Sequence, residues 1–92
     1  MNASSSGCSE SRLAVIAVVI SDKESVNEFN QILHKYGEFI IGRMGLPCRQ
    51  KKISLISLAV DAPMNIINSL AGSLGRLKGV SIKTVCAPES QT

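Results

Sequence analysis

Aromatic side chains are scarce in this chain: no tryptophan, one tyrosine and two phenylalanines, 3% of 92 residues. A single-stranded nucleic-acid platform stacks bases on exposed aromatics, so that class is disfavoured from the outset. One histidine, His34, excludes a paired-histidine zinc motif such as HExxH. Three cysteines without a CxxC pair supply neither a disulfide framework nor a zinc ribbon, and a reducing cytoplasm is the simplest setting for them. Cys48 and Cys86 read as small apolar fillers, and Cys8 as a thiol in a polar tail. Charge is sparse as well: 18% of residues, net +3, clustered only at Arg49-Gln-Lys-Lys52. That is far from the dense basic face of a nucleic-acid binder. The longest apolar run is eight residues, against about 20 for a bilayer-spanning helix. No signal peptide is expected, since Ser21-Asp-Lys-Glu24 after the first apolar run lacks a small-residue cleavage pattern. No nucleophile–base pair, carboxylate dyad or phosphate loop stands out, so no enzymatic activity and no cofactor are expected.

What is present is apolar patterning. Leu13-Ala-Val-Ile-Ala-Val-Val-Ile20 and Ile53-Ser-Leu-Ile-Ser-Leu-Ala-Val60 are apolar at odd and even positions alike. Successive strand residues point to opposite faces, so both faces of these strands have to leave water. Helices of one small chain can cover one face. A second copy is the economical cover for the other, through Val15 and Ala17 or Ile16 and Val18, whichever pair faces away from the helices.

Punctuation divides the chain into a polar tail (1–11), one folded domain (12–87) and a short C-terminal tail (88–92). Within the domain the first strand runs from Arg12 to Ile20. Ser21-Asp-Lys-Glu24 reads as a capping box, followed at helical spacing by Val26, Phe29, Ile32, Leu33 and Tyr36, with Gly37 as a left-handed stop. The second strand spans Glu38 to Leu46, a turn follows at Arg49-Gln50, and the third strand spans Lys52 to Val60. Asp61-Ala-Pro63 opens a second helix whose apolar face is Met64, Ile67, Leu70, Ala71, Leu74 and Leu77. Gly72 and Gly75 inside it, each costing about 1 kcal/mol relative to alanine, imply a close approach of backbone to a neighbour or a ligand. Gly79 ends the helix and Val80 to Cys86 forms the fourth strand.

The order is βαββαβ, an α+β ferredoxin-like sandwich with a four-stranded antiparallel sheet and two helices on one face. The two doubly apolar strands belong in its centre, where crossover handedness predicts that they run parallel to each other.

Two segments carry a resemblance: Ile40-Ile-Gly-Arg-Met-Gly-Leu-Pro47, and Leu70-Ala-Gly-Ser-Leu-Gly-Arg-Leu-Lys-Gly-Val-Ser-Ile-Lys-Thr84. Together they resemble the small ACT-like proteins grouped as regulators of the iron-only hydrogenase system, over about Arg12 to Val85. The resemblance implies an ACT-like ferredoxin fold, similar to the C-terminal domain of nickel-responsive regulators, and homo-oligomerisation. Amino-acid-binding ACT domains commonly carry a glycine between the first strand and first helix, where this chain has Ser21-Asp22-Lys23. Asp22 and Lys23 therefore read first as a cap and second as ligand-binding residues.

Arg43 is the leading candidate for a ligand contact. It lies on an apolar strand, flanked by Gly42 and Gly45, and a guanidinium there needs a partner. It either lies over an oligomer rim, paired with an acid such as Glu38, or acts as a fork for a carboxylate or phosphate, with Gly45 shaping the backbone. A metal-responsive domain would require His34, Cys48 or Cys86 to converge, across subunits if at all, and no metal site is expected. The sequence thus points to a non-catalytic regulatory or sensory module, a homodimer or tetramer in the cytoplasm. Such a module could bind a small effector between subunits or act through a protein partner, without specific nucleic-acid or membrane binding. A metal-responsive domain and a nucleic-acid-binding ferredoxin-like domain are the alternatives.

Overall fold

The computed structural model describes residues 11–88, so Cys8 and nearly all of both expected tails lie outside it. Four strands and two helices follow in the expected order: β1 (Ser11–Ile20), α1 (Val26–Lys35), β2 (Ile40–Cys48), β3 (Ile53–Pro63), α2 (Met64–Gly75) and β4 (Val80–Cys86). The sheet order is β2-β3-β1-β4, which places the two doubly apolar strands, β1 and β3, in the centre. All three strand pairs, β2–β3, β3–β1 and β1–β4, are antiparallel. This corrects the expected parallel pairing of β1 and β3. Each helix returns the chain parallel to the strand it left, but one strand-width further on. The strand that fills that gap comes from the other half of the fold and runs the opposite way.

Alternation decides what is buried. Ala14, Ile16, Val18 and Ile20 of β1 face the helices and are at most 5% exposed, alongside Leu58, Val60 and Ala62 of β3. Phe29 and Leu33 of α1 and Ile67, Leu70 and Leu74 of α2 close this layer from above. Ile16 and Val18 are therefore core residues and cannot form an interface with another copy.

Local chemistry differs from expectation at three junctions and inside α2. Before α1, Asp22 rather than Ser21 is the cap: its Oδ1 accepts from the Glu24 amide at 2.9 Å, opening a 3-10 turn over Lys23–Ser25. Ser21 is committed elsewhere, its amide and hydroxyl both donating to the Gly79 carbonyl at 2.7 and 3.1 Å. Gly37 does not take a left-handed conformation but begins a 3-10 turn, Gly37–Phe39. Asp61 stays in β3, because that strand continues to Pro63, which itself precedes α2. Gly72 and Gly75 are not in close contact with anything: a Cβ at either would find its nearest neighbour at 3.8 and 3.6 Å, an ordinary packing distance. Among the described residues the one glycine with a positive φ is Gly79, at φ +72°.

Candidate functional site

Three surfaces of the domain are open, the first of them around Arg43. β2 is an edge strand, bonded only to β3, and its register is shifted between Ile40 and Gly42. Past that irregularity Arg43 stands opposite Leu58, a core residue, so Arg43 projects from the helix side of the sheet beyond α1. It is exposed and donates from Nη2 to the Asn30 Oδ1 of α1 at 3.5 Å. Glu38 is not its partner. Asn30 and His34 lie four residues apart on α1, one turn, and so share a helix face. Together with Arg43 they rim a cleft of about 430 Å³ whose remaining walls are Leu33, Gly37, Ile40, Ile41 and Gly42. A Cβ at Gly37 or Gly42 would meet nothing within 4 Å, so the bare backbone keeps this space open. Gly45 does not contribute; its Cβ position faces the Ile56 side chain at 3.7 Å, further along the strand.

A second cleft, about 1000 Å³, lies between the turn that follows β1, the β2–β3 hairpin and the start of β4. Asp22 and Lys23 are on its rim with Arg49, Lys52 and Lys78. Asp22 is engaged twice over, as the helix cap and with the Lys78 ammonium at 3.8 Å. The four candidate ligand residues thus separate: Arg43 borders one cleft, Asp22 and Lys23 another, and Gly45 neither.

The third surface is the sheet face away from the helices. Leu13, Val15 and Val19 of β1, Leu55 of β3, Ile41, Met44 and Leu46 of β2 and Val85 of β4 are exposed by 37 to 68%. Cross-strand pairing puts them on one face: Val15 opposite Val85, Leu46 opposite Leu55, Met44 opposite Ser57. Ile41, at the irregular register, lines an apolar groove on this face with Leu13, Val15 and Val85. Ala17 lies in the middle of the same row. The charged residues on this face, Lys83 opposite Ala17 and Asp61 opposite Leu13, sit on an edge strand and near a strand end. An apolar centre with charge at its margin is the anatomy of a protein–protein contact.

His34, Cys48 and Cys86 do not converge. His34 is on α1, Cys48 ends β2 and Cys86 ends β4, the two opposite edges of the sheet. The Cys86 thiol instead lies 3.9 Å from the Met64 sulfur. Among the described residues no three His, Cys, Asp or Glu side chains gather as a metal site would require. Phe29, Tyr36 and Phe39 all pack with the core on the helix side, so the open face carries no aromatic residue for stacking bases. Among the described residues no helix is long and apolar enough to cross a membrane.

What sequence reasoning missed is the partnership of Asn30 and His34 with Arg43. Their i, i+4 spacing marks a shared face, but nothing in the sequence says that β2 runs beside it.

The profile of the family described as "TM1266-like: Iron-only hydrogenase system regulator, putative" matches residues 12–84. Among solved structures, the uncharacterized protein TM1266 from Thermotoga maritima matches with a TM-score of 0.83 and 30% identity, over 86% of this chain and 100% of that one. A formyltetrahydrofolate deformylase from Pseudomonas putida KT2440 matches with a TM-score of 0.59 and 12% identity, over 83% of this chain and 29% of that one. At that identity the likeness is one of fold alone. No curated protein matches the sequence.

Proposed function

Because the chain belongs to the TM1266-like family of iron-only hydrogenase system regulators, we propose that it is a non-catalytic regulatory module working as a homo-oligomer. Its open sheet face meets a second copy, and a small effector adjusts that assembly or its contact with a partner protein. The observation that supports this reading is the open face itself. The eight large apolar side chains exposed among the described residues all fall on it, whereas large apolar patches on a monomer's surface are uncommon and mark contacts. A two-fold contact suits such a face because it is self-complementary: each row of valine and leucine meets its own copy. Cys48 and Cys86 are free thiols, in keeping with a reducing cytoplasm.

The reading is tested by sedimentation of the full chain at micromolar concentration. A dimer or tetramer is expected; a persistent monomer overturns it. A melting-temperature screen against small metabolites and divalent metals then identifies an effector, since a ligand that binds only the folded state raises its stability by mass action.

A further inference from the structure

Arg43, Asn30 and His34 rim one cleft within a single copy of the chain. We propose that the cleft between α1 and the bulged start of β2 binds a small organic carboxylate, its charged end on Arg43 and its hydrocarbon end on Leu33 and Ile40. This rests on the effector part of the reading above and gives that effector a chemical class and a place.

The polar rim supplies the charge recognition. Arg43 is held by a single long hydrogen bond to Asn30 Oδ1, 3.5 Å, and its other donors have no partner among the described residues. A guanidinium presents its N–H groups as a planar fork that matches a carboxylate bidentately. Because the Asn30 oxygen faces Arg43, the amide nitrogen of the same side chain is directed away from the guanidinium and remains available to the bound anion. His34, one turn along α1 on the same rim, adds a third hydrogen-bonding group. No acidic side chain lines the cleft, so nothing there opposes an anion.

The floor supplies the rest. Leu33 is 4% exposed and belongs to the core, and Ile40 is partly buried against that core cluster; neither can satisfy a second charged end. The volume, about 430 Å³, lies in the range of small-molecule sites. It is kept free by Gly42, where a side chain would otherwise project from the strand. The larger cleft at the hairpin end is less suited: Asp22 and Glu24 stand among its lysines, and Asp22 is already engaged.

The test uses the full-length, isotope-labelled chain and three probes: sodium isovalerate, the neutral 3-methyl-1-butanol of the same skeleton, and inorganic phosphate. Isovalerate is expected to shift the amide signals of Asn30, His34, Gly42 and Arg43 saturably, with affinity in about the millimolar range for a ligand of this size. The alcohol should leave those signals in place, and phosphate should shift them at least about tenfold more weakly. Arg43→Gln should remove the isovalerate response, while Arg43→Lys, which keeps charge but not the fork, should weaken it about tenfold. Arg43 is exposed, so both variants should melt as the parent does; a variant that melts earlier is replaced by Asn30→Ala, for which a several-fold weakening is expected. Equal shifts from phosphate, equal shifts from the alcohol, or shifts centred on Lys52 and Lys78 each overturn the proposal. Sedimentation of the same samples separates the two ideas: a monomer that binds isovalerate at Arg43 keeps the site and removes the assembly, and a dimer that ignores it does the reverse.

Discussion

A methyl group on Gly79 would lie 2.6 Å from the Asp22 Cβ and 3.0 Å from the Asp22 amide nitrogen. The same glycine offers its carbonyl to both the amide and the hydroxyl of Ser21. Two chain segments nearly sixty residues apart are thus joined at the point where β1 ends and β4 begins. Close approach and a positive φ of 72° demand glycine together. Gly79→Ala is expected to destabilise the fold by about 2–4 kcal/mol, from left-handed backbone strain and the clash combined. Urea titration measures it; a loss below about 1 kcal/mol would mean that the two segments can separate freely.

Gly72 has the opposite forecast. It is helical and its Cβ position is clear, with Arg76 Nη1 the nearest atom at 3.8 Å. Gly72→Ala should raise stability by about 0.5–1 kcal/mol, because alanine has less backbone freedom to lose on folding. A decrease in the same urea experiment would show that α2 packs more tightly there than its geometry allows.

Ser25 is the buried polar side chain beneath α1, 4% exposed, and its hydroxyl donates to the Lys78 carbonyl at 2.6 Å. Removing the hydroxyl leaves that carbonyl without this donor. Ser25→Ala should cost about 1–3 kcal/mol, and thermal melts of a folded, monodisperse sample check it. Ile16→Ala, in the fully buried row, should cost more, about 2–4 kcal/mol, through the cavity it opens.

For the open face the informative change is Val15→Asp. Val15 is 45% exposed and sits among Leu13, Val85 and Ile41, so a single chain can tolerate a carboxylate there. Between two copies the same carboxylate would be buried without a partner, at a cost of about 2–5 kcal/mol. Dissociation into monomer at micromolar concentration, with the fold retained by circular dichroism, is the expected result. An unchanged sedimentation coefficient would place any contact elsewhere.

Duplex DNA should bind weakly and with steep salt dependence, since the net charge is only +3 and the attraction is to phosphates alone. Nanomolar, sequence-specific binding at physiological salt, measured by fluorescence anisotropy, would contradict a role exercised through a partner.

The order of elements, the identity of the central strands and the core face of α2 were determined by the sequence itself. They rest on periodicity and on punctuation by glycine, proline and polar clusters, which act over a few residues. The double apolarity of Leu13–Ile20 likewise marked a central strand with two apolar faces, of which the chain itself covers one. Which side the helices take was beyond it: odd and even rows are equally apolar, and only packing Phe29, Leu33 and Leu74 over Ile16 and Val18 broke the tie. The same holds for strand direction, since β3 fills a gap left by β1, α1 and β2. Cap assignment failed for a related reason. Ser21 and Asp22 are neighbours with similar capping ability, and the choice was made by Gly79, distant in sequence, which claims Ser21. At Arg43 the sequence marked a guanidinium in need of a partner. Its partner, Asn30, and its neighbour, His34, were set by the lateral placement of an edge strand beside α1, a long-range relationship that no local pattern records.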